Sequence, residues 1–142
     1  MSSIFSRIVA GEIPCHKIAD NDEFFAFLDI NPIADGHTLV IPKTEIDYIF
    51  DIDDEVLGRM MQFAKTIACG LKKAIPCKRI GMAVIGLEVP HAHIHLIPIL
   101  KESDMHLGTK KIEKTSEELA RTAALIRKAI INHELRITNY EG

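Results

Sequence analysis

At 142 residues the chain has the length of one ordinary domain, and 47% hydrophobic with 26% charged residues suits a globular protein with a real core. A formal charge of −3 offers no basic field for nucleic acid or an anionic membrane, although a local site can still receive a phosphorylated small molecule. Met-Ser-Ser-Ile-Phe-Ser-Arg lacks an apolar targeting core, no apolar run reaches membrane-spanning length, and Cys15, Cys69 and Cys77 lack paired spacing. The expectation is one cytoplasmic domain over 1–142 with reduced thiols.

In chain order, Phe5, Ile8 and Val9 recur at helical spacing before Gly11 and Pro14, which predicts a short helix. Residues 15–19 and 23–28 read as two strands of a hairpin, joined by the turn Asp20-Asn21-Asp22. After the breaks at Asn31-Pro32 and Asp35-Gly36, a β-branched strand runs from His37 to Ile41 and stops at Pro42. From Asp53 to Ile75, the residues Val56, Leu57, Met60, Ala64, Ile67, Ala68 and Leu71 recur at three and four, the pattern of a long amphipathic helix. Strands follow at 79–85 and 91–99, then a polar, irregular stretch at 101–114. A second helix is predicted from Ser116, whose Ser-Glu-Glu suits a helix N-terminus, to about Asn132. This order predicts an α+β fold: a meandering antiparallel sheet with one long inserted helix and a C-terminal helix, the histidine-bearing strand lying centrally.

Residues 89–99, Val-Pro-His-Ala-His-Ile-His-Leu-Ile-Pro-Ile, carry the chemistry. Side chains alternate across a strand, so His91, His93 and His95 share one side while Ala92, Ile94 and Leu96 take the other. Three imidazoles in strict alternation are too polar for plain core, and a solvent face has no need of three groups that titrate near neutrality. Two chemistries suit them. Alternating histidines can ligate zinc, copper or iron, with His37 or Glu88 completing a set. Alternatively, a neutral imidazole attacks phosphorus while protonated neighbours stabilise the phosphate oxygens. Periodicity alone leaves both open, as a metal-binding protein or metal-dependent enzyme and as a phosphorus-directed nucleophile.

His-Ala-His-Ile-His-Leu-Ile resembles the His-φ-His-φ-His-φ-φ motif (φ apolar) of the histidine triad family of nucleotide hydrolases and transferases. Ile4-Phe5 through Gly11-Glu12-Ile13-Pro14, then 27–32 (Phe-Leu-Asp-Ile-Asn-Pro) and 36–43 (Gly-His-Thr-Leu-Val-Ile-Pro-Lys) resemble its N-terminal signature, so the likeness covers about 4–99. The resemblance implies a histidine-triad fold and catalysis at an α-phosphate without a metal or other cofactor. His93 then takes the nucleophile position and forms a nucleotidyl-histidine that water hydrolyses. His95 donates to the phosphate or leaving group, and His91 and His37 orient nucleophile and phosphate. Asp29 falls where the family binds ribose hydroxyls, and Phe5, Ile8, Ile13 and Ile30 match the wall of a purine pocket, although each of these four equally suits core packing. Glu88 stands near the phosphate position, and Lys43 is read as solvating the end of its strand. The implied substrates are purine nucleoside phosphoramidates, dinucleoside polyphosphates or related conjugates.

The chain departs from the family pattern in places. Leu87 stands where relatives carry a glutamine that binds the leaving side of the phosphate, which keeps open a nucleotide-binding protein with weak catalysis. Ser3 and Ser6 replace the Cys-X-X-Cys with which some relatives hold structural zinc, so no such zinc is expected. The family's dimerisation through the long helix and a strand, together with Met60, Met61 and Phe63 spread wider than one stripe, predicts a homodimer. A neutral nucleophile beside a protonated donor further predicts a rate that falls at both acid and alkaline pH.

Overall fold

The computed structural model describes residues 2–141, with side chains to residue 134. It is an α+β arrangement built on one five-stranded sheet. Helix α1 (Ile4–Val9) begins at Ser3, whose hydroxyl accepts from the Ser6 amide. Strands β1 (Lys17–Asp20), β2 (Phe24–Leu28) and β3 (Thr38–Pro42) follow as an antiparallel meander. A 3-10 turn at Ile49–Asp51 leads into α2 (Asp54–Ala74). Ile75, forced to extended geometry by the proline after it, ends that helix. The chain then forms β4 (Arg79–Ala83), β5 (Ile94–Ile99), a 3-10 turn at Glu102–Met105, and α3 (Ser116–Glu141).

The sheet order is β1-β2-β3-β5-β4, and every neighbouring pair is antiparallel. Helices α2 and α3 lie together on one face. There Phe24, Ala26, Leu28, Val40, Ile94 and Leu96 meet Met60, Ala64, Ile67 and Leu71 of α2 and Leu119, Ala123, Ile126 and Ile130 of α3. The opposite face is covered by α1, where Phe5 packs with Phe25, Phe27, Leu39 and Ile41. All five residues of β2 are buried because both faces are covered. The histidines belong to the α1 side: Leu39 of that face pairs with His95 across β3 and β5.

Several element limits differ from the periodicity. The histidine strand starts at Ile94, not His91, because its partner runs out: Pro42 has no N–H to extend the ladder, and its carbonyl accepts from the His91 ring. It is also not the middle strand, since β3 holds that place and β5 lies between β3 and the edge strand β4. Strand β4 ends at Ala83, opposite His95, and β1 runs from Lys17. Residues 101–114 include a 3-10 turn, held by the Asp104 carboxylate accepting from the Leu100 and Lys101 amides. Helix α3 is capped one residue before Ser116: Thr115 Oγ1 accepts from the Glu118 amide, and Glu118 Oε1 accepts from the Thr115 amide. It continues past Asn132 to Glu141, a stretch with neither glycine nor proline to stop it. Lys43 does more than solvate its strand end, since its ammonium lies 2.8 Å from Asp20 Oδ2. The three cysteines are free thiols. No helix among the described residues is long and apolar enough to cross a membrane.

Candidate active site

The site forms where the end of β2, the start of β3 and the residues leading into β5 meet beneath α1. Asp29 leaves β2 and closes an Asx turn, its Oδ1 accepting from the Asn31 amide at 2.8 Å. Gly36, at φ +81, takes the left-handed conformation that turns the chain back, and a side chain there would run into Ile75 and Leu71. The return delivers His37, fully buried, with its carbonyl accepting from the Asp29 amide at 3.0 Å.

Hydrogen bonds to groups of fixed polarity set the proton positions on all four rings. The Ile33 amide donates to His37 Nδ1 at 3.2 Å, so the proton of that ring resides on Nε2. Nε2 donates in turn to His95 Nδ1 at 2.9 Å, which leaves His95 with its proton on its own Nε2. His93 is set oppositely: Nδ1 donates to the carbonyl of His91 at 2.8 Å, and the lone pair remains on Nε2. No buried side-chain nitrogen or oxygen among the described residues lacks a partner, so the unbonded Nε2 atoms of His93 and His95 reach solvent. The two rings pack edge to face, with centroids 4.8 Å apart. A lone pair and an N–H donor are thus carried by adjoining rings.

His91 is the anchor of this arrangement. Its Nε2 donates to the Pro42 carbonyl at 2.8 Å, and its Nδ1 accepts from the Ser3 hydroxyl at 2.7 Å. Ser3 Oγ also accepts from the Ser6 amide, while the Ser6 hydroxyl and the Ser3 amide both donate to Glu45 Oε1. Those bonds hold the Glu45 carboxyl down to about 2. Spacing within the triad gave no sign of Glu45, which lies 46 residues before His91 in the chain and meets it only through the fold.

Burial sets the charge state. Desolvation lowers His37 to about 4, assisted by the Lys111 ammonium and by His93. Desolvation likewise lowers His95 to about 4, assisted by His93 and His37. His91 is lowered by burial too, against the upward pull of its bond to Pro42. Asp29 is raised, because its loss of water outweighs the Asn31 amide and the charges of His95 and Lys111. Both donor rings are therefore neutral near pH 7, and the protonated neighbour expected from the sequence is replaced by a neutral N–H donor.

The remaining sequence-predicted residues divide. Phe5 is 7% exposed and packs edge-on against His91 and His93, at centroid distances of 5.8 and 5.1 Å. Ile8 joins the apolar cluster around it. Ile13 is half-buried, Ile30 is 63% exposed beyond Asp29, and Glu88 is exposed; none of these three takes part in the hydrogen-bonded cluster. Leu87 is 89% exposed in the loop between β4 and His91. A separate cleft of about 370 Å³, lined by residues such as Asn21, Arg59, Phe63 and Ile130, lies between the β1–β2 turn and the two long helices and contains no histidine of the triad.

Asp29, His37 and His95 offer ligand atoms within 4.8 Å of one another. A metal there would need lone pairs on both His37 Nε2 and His95 Nδ1, yet these atoms share a proton. Transferring that proton to His37 Nδ1 would set it against the Ile33 N–H. The hydrogen bonding thus favours the proton-bearing form of this set over the metallated one.

Residues 10–102 match the HIT domain family. The chain is 40% identical over 96 residues to the adenosine 5′-monophosphoramidase HNT1 of Saccharomyces cerevisiae, covering 67% of this chain and 61% of that protein. Among solved structures, a Hit-like protein of Bartonella henselae involved in cell-cycle regulation superposes with TM-score 0.78 and 32% identity over 90% of this chain and 96% of its own. A zinc-bound histidine triad family protein of Mycobacterium smegmatis superposes with TM-score 0.80 and 26% identity, over 96% and 98% respectively. The ordered histidines, the sheet that carries them and the matched span of 10–102 together place this chain in the histidine triad (HIT domain) family, which has hydrolases among its members.

Proposed function

We propose that the chain is a metal-independent nucleotide hydrolase that acts at the α-phosphate of purine nucleoside phosphoramidates, dinucleoside polyphosphates or related conjugates. One observation carries this reading: His93 offers an unprotonated Nε2 beside the Nε2–H of His95. In the proposed reaction the His93 lone pair forms an N–P bond while the bond from phosphorus to the leaving group breaks, the electron pair departing with that group. The ring then carries the positive charge, and Nδ1–H keeps its bond to the His91 carbonyl. His95 Nε2–H donates to the phosphate or the departing atom. Water then attacks phosphorus as the N–P bond breaks, the electron pair returning to His93 Nε2, and the proton that water releases to solvent offsets the one that the departing group takes up from it. Asp29 accepts from ribose hydroxyls, and Phe5 and Ile8, with Ile13 and Ile30, wall the base. Glu88 is assigned to the phosphate end, as the family resemblance implies.

The test is turnover of an adenosine 5′-phosphoramidate with and without chelator, followed across pH. The expected rate is insensitive to chelator, falls in acid as protons on His37 and His95 disrupt the hydrogen bonds that orient the donor ring, and stays level from pH 7 to 9. The level arm replaces the alkaline fall expected from a charged donor, because the neutral donor ring has no proton to lose in that range. Loss of activity with chelator, restored by zinc or manganese, would favour the metal enzyme instead. Binding without turnover would point to the weak catalyst that Leu87 suggested.

We further propose a homodimer. Met60 is fully buried in the core of its own chain and Phe63 packs on Phe24, so of the three α2 residues only Met61 is left for a partner. Support comes from β4, an edge strand with exposed Met82, followed by exposed Val84, Ile85 and Leu87, which a second copy can cover by extending the sheet. Sedimentation at micromolar concentration should give twice the 15.9 kDa chain mass, and a monomer would overturn the proposal.

A further inference from the structure

The site receives an anion in the reading above, yet among the described residues no lysine or arginine takes part in its hydrogen-bonded cluster. His37 and His95 are neutral, and Asp29 adds a carboxylate beside them. A phosphate placed there needs a cation from elsewhere in the chain. The strap between β5 and α3 brings one. The Ile112 amide donates to the Pro32 carbonyl at 2.9 Å, and Lys114 Nζ lies 3.0 Å from Asp35 Oδ1. These two ties fasten the strap along the turn that runs from Asp29 to His37. Lys111, next to the first tie, is exposed, and its charge is felt by Asp29, His37 and His95 alike.

Its ammonium donates to the Leu107 carbonyl at 3.1 Å and forms no ion pair with a carboxylate among the described residues, in contrast to Lys114. Two of its three N–H donors are thus left for a ligand. Lys111 also lies beyond residue 102, where the family match ends, so the triad motif did not point to it.

We propose that Lys111 is a phosphate-binding residue of this site, reaching in from the strap to hold an oxygen of the 5′-phosphate and so selecting nucleotides over uncharged nucleosides. The proposal rests on the nucleotide reading above. The neutral histidines position the phosphate through N–H donors, and Lys111 supplies the charge that offsets both the phosphate and Asp29.

Titration calorimetry with 5′-AMP and with adenosine tests this on the wild-type chain, Lys111→Gln, Lys111→Arg and, as a neighbouring control, Lys110→Gln. Lys111→Gln should weaken 5′-AMP about tenfold or more, the scale of a charge-assisted hydrogen bond, and leave adenosine within about twofold. Lys111→Arg should recover most of the loss, and Lys110→Gln should match wild type. An unchanged 5′-AMP affinity in Lys111→Gln would overturn the proposal, as would an equal loss for 5′-AMP and adenosine, since that means a collapsed strap and not a missing charge. A wild-type chain that binds neither ligand would instead overturn the nucleotide reading itself.

Discussion

Replacing His93 with alanine should abolish turnover, lowering kcat by about a thousandfold or more, while 5′-AMP affinity stays within a few-fold of wild type. The asymmetry follows from what the side chain does in the folded protein. Its Nε2 is the one triad nitrogen with a solvent-reaching lone pair, because the His91 carbonyl fixes its proton on Nδ1 and the other rings have their lone pairs engaged by Ile33, His37 or Ser3. No neighbouring ring can substitute without breaking one of these hydrogen bonds. On the proposed reading, binding draws instead on Asp29, His95, Lys111 and the apolar wall, none of which the substitution removes. The variant should be less stable by about 1–3 kcal/mol, since the His91 carbonyl loses its donor and Phe5 loses an edge contact. Single-turnover kinetics on a phosphoramidate would detect the effect, and near wild-type turnover in His93→Ala would rule out the covalent route.

The second large effect concerns folding in acid. His37 and His95 stand at about 4 in the folded chain against 6.5 when unperturbed, so the unfolded state binds more protons throughout the interval. A histidine lowered on folding contributes stability above its unfolded value and loses it as pH falls toward the folded one. Unfolding free energy should therefore decline from pH 6.5 to pH 4, and should be independent of these two rings at higher pH. Protonating His95 at Nδ1 breaks its bond from His37, protonating His37 at Nδ1 breaks its bond from the Ile33 amide, and half-buried His95 is partly screened by solvent. The pair together is expected to account for on the order of 3 kcal/mol. Asp29, raised by burial, works in the opposite direction and offsets a part. Glu45, held at about 2, adds its own loss only below the ordinary carboxylate range. Urea midpoints measured at half-unit steps would show the decline, and a midpoint level between pH 6.5 and 4.5 would show that both rings take up protons as readily folded as unfolded.

Sequence by itself determined the elements whose patterns are local. The stripe of Met60, Ala64, Ile67 and Leu71 forms the buried side of α2, because helical periodicity depends only on near neighbours. The alternation of Ala92, Ile94 and Leu96 with the histidines assigned the two sides of that segment, and the helix packing follows it even where the strand ladder is absent. Family membership was legible for the same reason, since the triad and the 27–43 segments are contiguous motifs. Tertiary structure decided the chemistry of each ring. Which nitrogen bears the proton depends on the Ile33 amide and on the His91 and Pro42 carbonyls, and on a serine 88 residues distant in sequence. Charge state was equally out of reach, because a histidine's pattern in sequence does not show how much water the folded site removes from it. The limits of β5 and α3 also came from the fold: Pro42 ended one by lacking a donor in the partner strand, and the other ran on where nothing local stopped it. Local patterning places side chains on faces, while proton positions and ionisation depend on groups that only folding brings within hydrogen-bonding distance.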